Sequence, residues 1–292
     1  MIKAYFQLLR ITQWIKNLFV FVPLIFSLHV FQSHYFIKTF YAFILFSLSS
    51  SLIYVFNDII DLKSDAAHPQ KKFRPLPSGK ISVSNAWLTV LLLLILIILI
   101  SLFVSNPFKY FLIGFILLNI LYSLYLKHVV ILDIFSIAAG FTIRVLGGAT
   151  IINVPVSSWL ILTTMFISLF LAVMKRHSEL VQTTSTDNNI TRKVLSEYSV
   201  IFTNQMATVA AAGVIICYAL YTVAQRTVEV FGTENLIYTT PFVVFGIFRF
   251  MYLEYQNQKG ENTTSVMLTD IQMILTVILY VLTTMLIIYK ML

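Results

Sequence analysis

Runs of about twenty apolar residues, separated by short polar clusters, recur along the whole chain. They predict membrane-spanning helices at about 18–36, 38–57, 83–104, 108–126, 130–149, 156–174, 199–222, 236–253 and 270–290. The first of these nine is the least regular, because Pro23 and His29 interrupt it. Upstream, Arg10, Trp14 and Lys16 lie in an amphipathic stretch without a cleavage site. That pattern reads as an interfacial lead-in and not as a signal peptide. Residues 182–193 are polar throughout their first half (Gln182 to Asn189) and read as a mobile loop. No linker, low-complexity tract or composition shift divides the chain, so residues 1–292 read as one integral membrane domain. The predicted class is all-α and polytopic.

Composition agrees with the pattern. Hydrophobic residues make up 59% and charged residues 11%, with a mean hydropathy of +0.87, which excludes an ordinary soluble domain. With the N-terminus inside, fifteen Lys and Arg fall on the inner side and four on the outer, and Arg144 is left within a span. The positive-inside rule then puts the loop after the second span in the cytoplasm and the C-terminus outside. This predicts a multi-pass protein of the plasma (inner) membrane with its polar chemistry facing the cytosol. The net charge of +8 suits an anionic leaflet as well as an anionic substrate and decides nothing alone. The single cysteine, Cys217, lies in an apolar run, so an intrachain disulfide is excluded. There is no nucleic-acid motif and no Gly-rich phosphate loop.

The candidate chemistry starts at Asn57-Asp58-Ile59-Ile60-Asp61-Leu62-Lys63-Ser64-Asp65. On a helix, Asp58, Asp61 and Asp65 fall within about 60° of each other and span about 10 Å. Three carboxylates on one face repel unless a cation sits among them, and Mg²⁺ takes oxygen ligands and shares its shell with substrate phosphates. The basic run from His68 to Arg74 follows at once. Acids followed by bases read as a Mg²⁺–diphosphate site; the alternative is a solvated helix end. Ionisable groups near spans are costly, which singles out Asp133 and Arg144, eleven residues apart and on one helix face with Gly140 and Gly147. Asp133 as a cap or ion-pair partner is the plainer alternative. Lys175, Arg176 and Glu179 form a second cluster, open to ordinary helix pairing. Arg249, Lys259 and Asp270 carry the same ambiguity, and Lys16 with Asn17 could be no more than an anchor.

Asn57-Asp58-x-x-Asp61-x-x-x-Asp65, followed by Arg74-Pro75-Leu76-Pro77-Ser78-Gly79, resembles the first signature of the UbiA-type prenyltransferase superfamily. The resemblance covers essentially the whole chain. It implies nine helices around a central cavity, and a Mg²⁺ site built by Asp58, Asp61 and Asp65. Most members carry a second pair of aspartates four residues apart; here Asp133 is present but position 137 is isoleucine. Gln13-Trp14-x-Lys16-Asn17, Tyr122-Ser123-Leu124-Tyr125-Leu126-Lys127-His128, Gly140-Phe141-x-x-Arg144, Lys175-Arg176-His177-Ser178-Glu179-Leu180, and Asp270 after Lys259-Gly260-Glu261 are similar to one branch. That branch moves phosphoribose from phosphoribosyl pyrophosphate to a polyprenyl (decaprenyl) phosphate, releasing pyrophosphate. The resemblance implies Asp58, Asp61 and Asp133 as catalytic, with Asn57 positioning metal or ribose. Lys16, Asn17, Lys71 and Arg74 would serve the donor phosphates, with Tyr122 and Lys127 also at the substrate. Arg144, Lys175 and Arg176 compete for the sugar 5-phosphate and the lipid phosphate, with Glu179 beside them. The partners expected are the polyprenyl phosphate, phosphoribosyl pyrophosphate, membrane lipids and a possible second copy of the chain. The first rival is prenyl transfer from a prenyl diphosphate to an aromatic or other small acceptor. The second is a transporter, against which stand acids gathered at one face and no internal repeat.

Overall fold

The computed structural model describes residues 2–68, 71–185, 193–257 and 269–290. Among them there are only helices, 3₁₀ turns and loops. In a membrane every backbone polar group must find its partner within the segment, and helices do so without neighbours. The helices are α1 (Ile2–Leu9), α2 (Val22–Phe26), α3 (Ser33–Ile60), α4 (Leu62–Ala67), α5 (Val83–Ser101), α6 (Asn106–Leu124) and α7 (Leu132–Ile151). They continue with α8 (Ser158–Ser185), α9 (Val200–Val223), α10 (Gln225–Phe231), α11 (Thr240–Asn257) and α12 (Ile271–Ile288). Eight segments among the described residues are long and apolar enough to cross a membrane; a bent pair, Ile2–Leu9 with Ile11–Phe26, would make nine.

That bent pair corrects the predicted first span. No helix runs over 18–36; a 3₁₀ turn over Ile11–Phe21 leads into α2, and the next helix starts only at Ser33. Two residues cause this. Pro23 sits at the start of α2, where its missing N–H is not needed. Arg10 takes a left-handed backbone (φ 49°, ψ 48°), and the two pieces meet at 43°. The amphipathic lead-in is therefore part of the packed structure: Ala4 and Leu8 are buried with Val55, Leu76, Ile81 and Ala86. The polar segment expected as a loop from 182 begins as helix, since α8 runs to Ser185; residues 186–192 lie outside the described residues.

Contacts gather the chain into two compact units, residues 1–125 with 143–155 and residues 126–142 with 156–292. In the first, Phe46 on α3 is edge-on to Phe108 and Phe115 of α6, in a core with Leu45, Leu52 and Leu112. The second half of α7 belongs to this unit and lies against the Ile11–Phe21 turn. At Gly148 a Cβ would stand 2.1 Å from the Val20 carbonyl oxygen, so only glycine allows that approach. In the second unit α8, α9 and α11 share a core around Phe170, Met174, Ala207, Ala211 and Phe250. On α5 only 17% of the apolar window is buried, and Leu88, Leu91, Leu92, Leu96 and Leu99 are exposed, as a lipid-facing helix requires.

Candidate active site

In the first unit, the three aspartates do not sit on one helix. α3 ends at Ile60, Asp61 caps it, and α4 begins at Leu62. The break is slight, because Asp61 N–H still donates to the Asn57 carbonyl and Asp65 N–H to the Asp61 carbonyl, both at 2.8 Å. Seven residues are close to two helical turns, so Asp58 and Asp65 still share a side. Both are buried, at 2% and 3% exposure, while Asp61 is half-buried.

Cations hold the two buried acids. Arg74 Nη1 donates to Asp65 Oδ2 at 2.6 Å and to Asp58 Oδ1 at 3.3 Å. Lys71 Nζ lies 3.8 Å from Asp65 Oδ1. Arg10 Nη2 donates to Asp58 Oδ1 at 2.5 Å, with its guanidinium 4.8 Å above the Tyr54 ring. Two buried carboxylates next to each other are tolerable only with such pairing. Among the described residues no three His, Cys, Asp or Glu side chains converge as a ready metal cage. The donor chemistry still fits a hard divalent cation. Asn57 Oδ1 is a buried oxygen without a hydrogen-bond partner, directly before Asp58. Oxygen-only ligands with a share left for substrate phosphates are what Mg²⁺ takes.

Also in the first unit, Arg144 is buried and donates from Nε to Asn17 Oδ1 at 2.6 Å. Its guanidinium lies 4.5 Å above the Phe115 ring. Asn17 is fully buried and clamped, donating to Ser47 Oγ at 3.0 Å and accepting from Ser50 Oγ at 3.4 Å. The asparagine is thereby fixed with its oxygen toward the arginine. Lys16, one residue earlier, is half-buried on the same 3₁₀ turn, and Tyr122 is half-buried on α6.

The second unit holds the other cluster. Asp133, fully buried, accepts from Arg176 Nε at 2.6 Å and from the Tyr198 hydroxyl at 2.7 Å. Arg176 donates from Nη1 to Glu179 Oε2 at 2.6 Å, three residues along α8. One guanidinium thus lies between two carboxylates. The Tyr198 hydroxyl also accepts from Ile131 N–H at 2.7 Å. Burial and the Asp133 carboxylate push the phenol well above its usual range, which keeps it a neutral donor. Lys175 and Lys127 are half-buried. Position 137 offers no second acid: Ile137 packs against the apolar core around Ile134 and Ala138. Arg249 and Asp270 form a bidentate pair at 3.2 and 2.8 Å, and the Arg249 bonds hold the Asp270 carboxyl below its usual range. Lys259, Gly260 and Glu261 lie outside the described residues.

Arg10 and Tyr198 each join one of these candidate clusters, and sequence reading missed both. Their partners lie 48 and 65 positions away, and no local spacing announces them.

Residues 18–271 match the UbiA prenyltransferase family. The decaprenyl-phosphate phosphoribosyltransferase of Mycolicibacterium smegmatis is 32% identical over 225 residues, 76% of this chain and 70% of that protein. The protein of the same name from Mycobacterium tuberculosis is 30% identical over 220 residues, covering 73% and 72%. A solved structure of a UbiA homolog from Archaeoglobus fulgidus, bound to GPP and Mg²⁺, is similar with a TM-score of 0.71 at 16% identity, over 98% of this chain and 99% of that one.

Proposed function

We propose, from the premise that this chain belongs to the UbiA prenyltransferase family, that it transfers 5-phosphoribose from phosphoribosyl pyrophosphate to the phosphate of a polyprenyl lipid. One observation carries the choice of donor. Both oxygens of Asp133 are already engaged, by Arg176 and Tyr198, and position 137 is an isoleucine packed in the core. A second two-carboxylate metal site of the kind a prenyl diphosphate would use is therefore absent from this segment. The relatives named as phosphoribosyltransferases support the same reading.

The reaction breaks the bond from the anomeric carbon to pyrophosphate, and the electron pair leaves with the pyrophosphate. A lipid phosphate oxygen makes the new bond. That phosphate is largely ionised at pH 7, its second pKa being about 6, so no general base is needed. An aromatic acceptor would have to lose a proton. Asp58, Asp61 and Asn57 would hold Mg²⁺, which supplies charge neutralisation to the leaving diphosphate when bound. Asp65 keeps Arg74 and Lys71 in place, and Arg74, Lys71 and Lys16 present positive charge to the donor phosphates. Arg10 steadies Asp58 from the other side. Arg144, aimed by Asn17, takes a phosphate as a bidentate partner. Asp133 and Glu179 pin Arg176 and so set the stretch of α8 that carries Lys175, a cation for the lipid phosphate, with Lys127 as a further contact.

The charge asymmetry supports a cytosolic aspartate segment, on the side where a soluble sugar phosphate is available. The test is incubation of membranes with labelled phosphoribosyl pyrophosphate, Mg²⁺ and a polyprenyl phosphate. Label must enter the organic phase, and it must require all three.

A further inference from the structure

Glu254, on α11, is 3% exposed, and neither carboxylate oxygen accepts a hydrogen bond of good geometry among the described residues. Ser178 is on the same small cavity. An ionised carboxylate buried without a partner costs several kcal/mol, so such a group either stays neutral or waits for a cation. Glu254 borders a small cavity. With His177, Ser178 and Val181 of α8 and Tyr255 of α11 it lines a cavity of ≈ 30 Å³, entirely within the second unit. That is room for an ion with a water and too little for an organic ligand.

His177 completes the argument. It is 5% exposed, and its Nδ1 lies 3.1 Å from Thr203 Oγ1. The single Thr203 hydroxyl proton is directed at backbone carbonyls, Ser199 O at 3.1 Å and Val200 O at 3.0 Å. Thr203 therefore accepts from the ring, which assigns the proton to Nδ1 and leaves the lone pair on Nε2. A histidine oriented by an Nδ1–H bond to an oxygen, lining one small cavity with a buried carboxylate, is the usual arrangement of a metal ligand and its supporting contact.

We propose that Glu254 and His177 form a second divalent-metal site, separate from the aspartate segment, with Ser178 Oγ as an additional oxygen and water completing the shell. An imidazole beside a carboxylate selects Zn²⁺ or a similar first-row ion over Mg²⁺, which prefers oxygen alone. The ion neutralises Glu254 and ties α8 to α11 just beyond Arg176. The proposal does not depend on the reaction assigned above.

The test uses the full chain in detergent, tag removed, stripped with chelator and assayed without any phosphate substrate. Equilibrium dialysis against about 20 μM Zn²⁺ should load about one ion per chain. Glu254→Gln and His177→Gln should each lose most of that uptake, and Zn²⁺ should raise the melting temperature of the wild type but of neither variant. X-ray absorption on the loaded wild type needs no variant to fold, and should show one imidazole nitrogen at about 2.0–2.1 Å with oxygen neighbours. No uptake by the wild type would mean a neutral carboxyl or a trapped water and would overturn the site. So would an all-oxygen shell, equal uptake by folded variants, or displacement by an equal concentration of Mg²⁺.

Discussion

Arg10 and Asp58, 48 residues apart, meet at 2.5 Å between guanidinium and carboxylate. The contact exists because Arg10 adopts a left-handed backbone that turns the chain between α1 and the following 3₁₀ segment. Asp58 is thus placed from two sides, by Arg10 and by Arg74.

Asp58→Asn keeps the shape of the side chain and removes its charge. It should lower turnover by about two orders of magnitude or more while the protein stays monodisperse, because the leaving diphosphate loses its neutralised setting. Initial rates across a Mg²⁺ titration check this. Near wild-type turnover at every Mg²⁺ concentration would remove Asp58 from the metal site.

Tyr198→Phe deletes one hydroxyl that serves two partners, the Asp133 carboxylate and the Ile131 N–H. Each is left short of a bond in a buried place, so the loss should be about 1–3 kcal/mol. At about 2–4 °C per kcal/mol for a chain of this size, the melting temperature should fall by several degrees. Arg176→Met should be worse, at about 3–5 kcal/mol, since Asp133 is then a buried charge without its cation; adding Asp133→Asn should recover part of it. Thermal unfolding of the single and double variants decides the coupling.

Much of this was legible in the residues. The all-helical, multi-span class follows from apolar runs such as Leu88–Ile100, and the pairing of acids with bases at 58–74 follows from their order. Asp58 and Asp65 share a side because seven residues are two turns, whether or not a cap intervenes. What was not legible depends on contacts between distant segments. Nothing near Asp133 points to Tyr198, and nothing near Arg144 points to Asn17, 127 positions away. The first span was misplaced because an apolar run is silent about a left-handed residue such as Arg10, which sets the bend.

Two glycines separate packing from helix propensity. Gly148→Ala would drive a Cβ into the Val20 carbonyl, backbone against backbone, and should cost about 1–3 kcal/mol or prevent folding. Gly114→Ala on α6 meets nothing within 4 Å and should be neutral or slightly stabilising. Size-exclusion yield and melting temperature compare the pair.

Topology has its own check. Ser64 is exposed in the segment between Asp61 and Asp65, and Cys217 is buried. In a Cys217→Ala background, Ser64→Cys should resist an impermeant thiol reagent in intact cells and react once the membrane is opened. Labelling in intact cells would put the aspartates on the wrong side for a cytosolic sugar phosphate.

The most direct measurement is a donor competition in detergent, with labelled phosphoribosyl pyrophosphate and a prenyl diphosphate offered together with Mg²⁺, a polyprenyl phosphate and a small aromatic acid. The account predicts label on the lipid phosphate, release of pyrophosphate, no prenylated aromatic product, and loss of the signal in Arg144→Ala. Transfer of the prenyl group to the aromatic acid, with none from phosphoribosyl pyrophosphate, would contradict it.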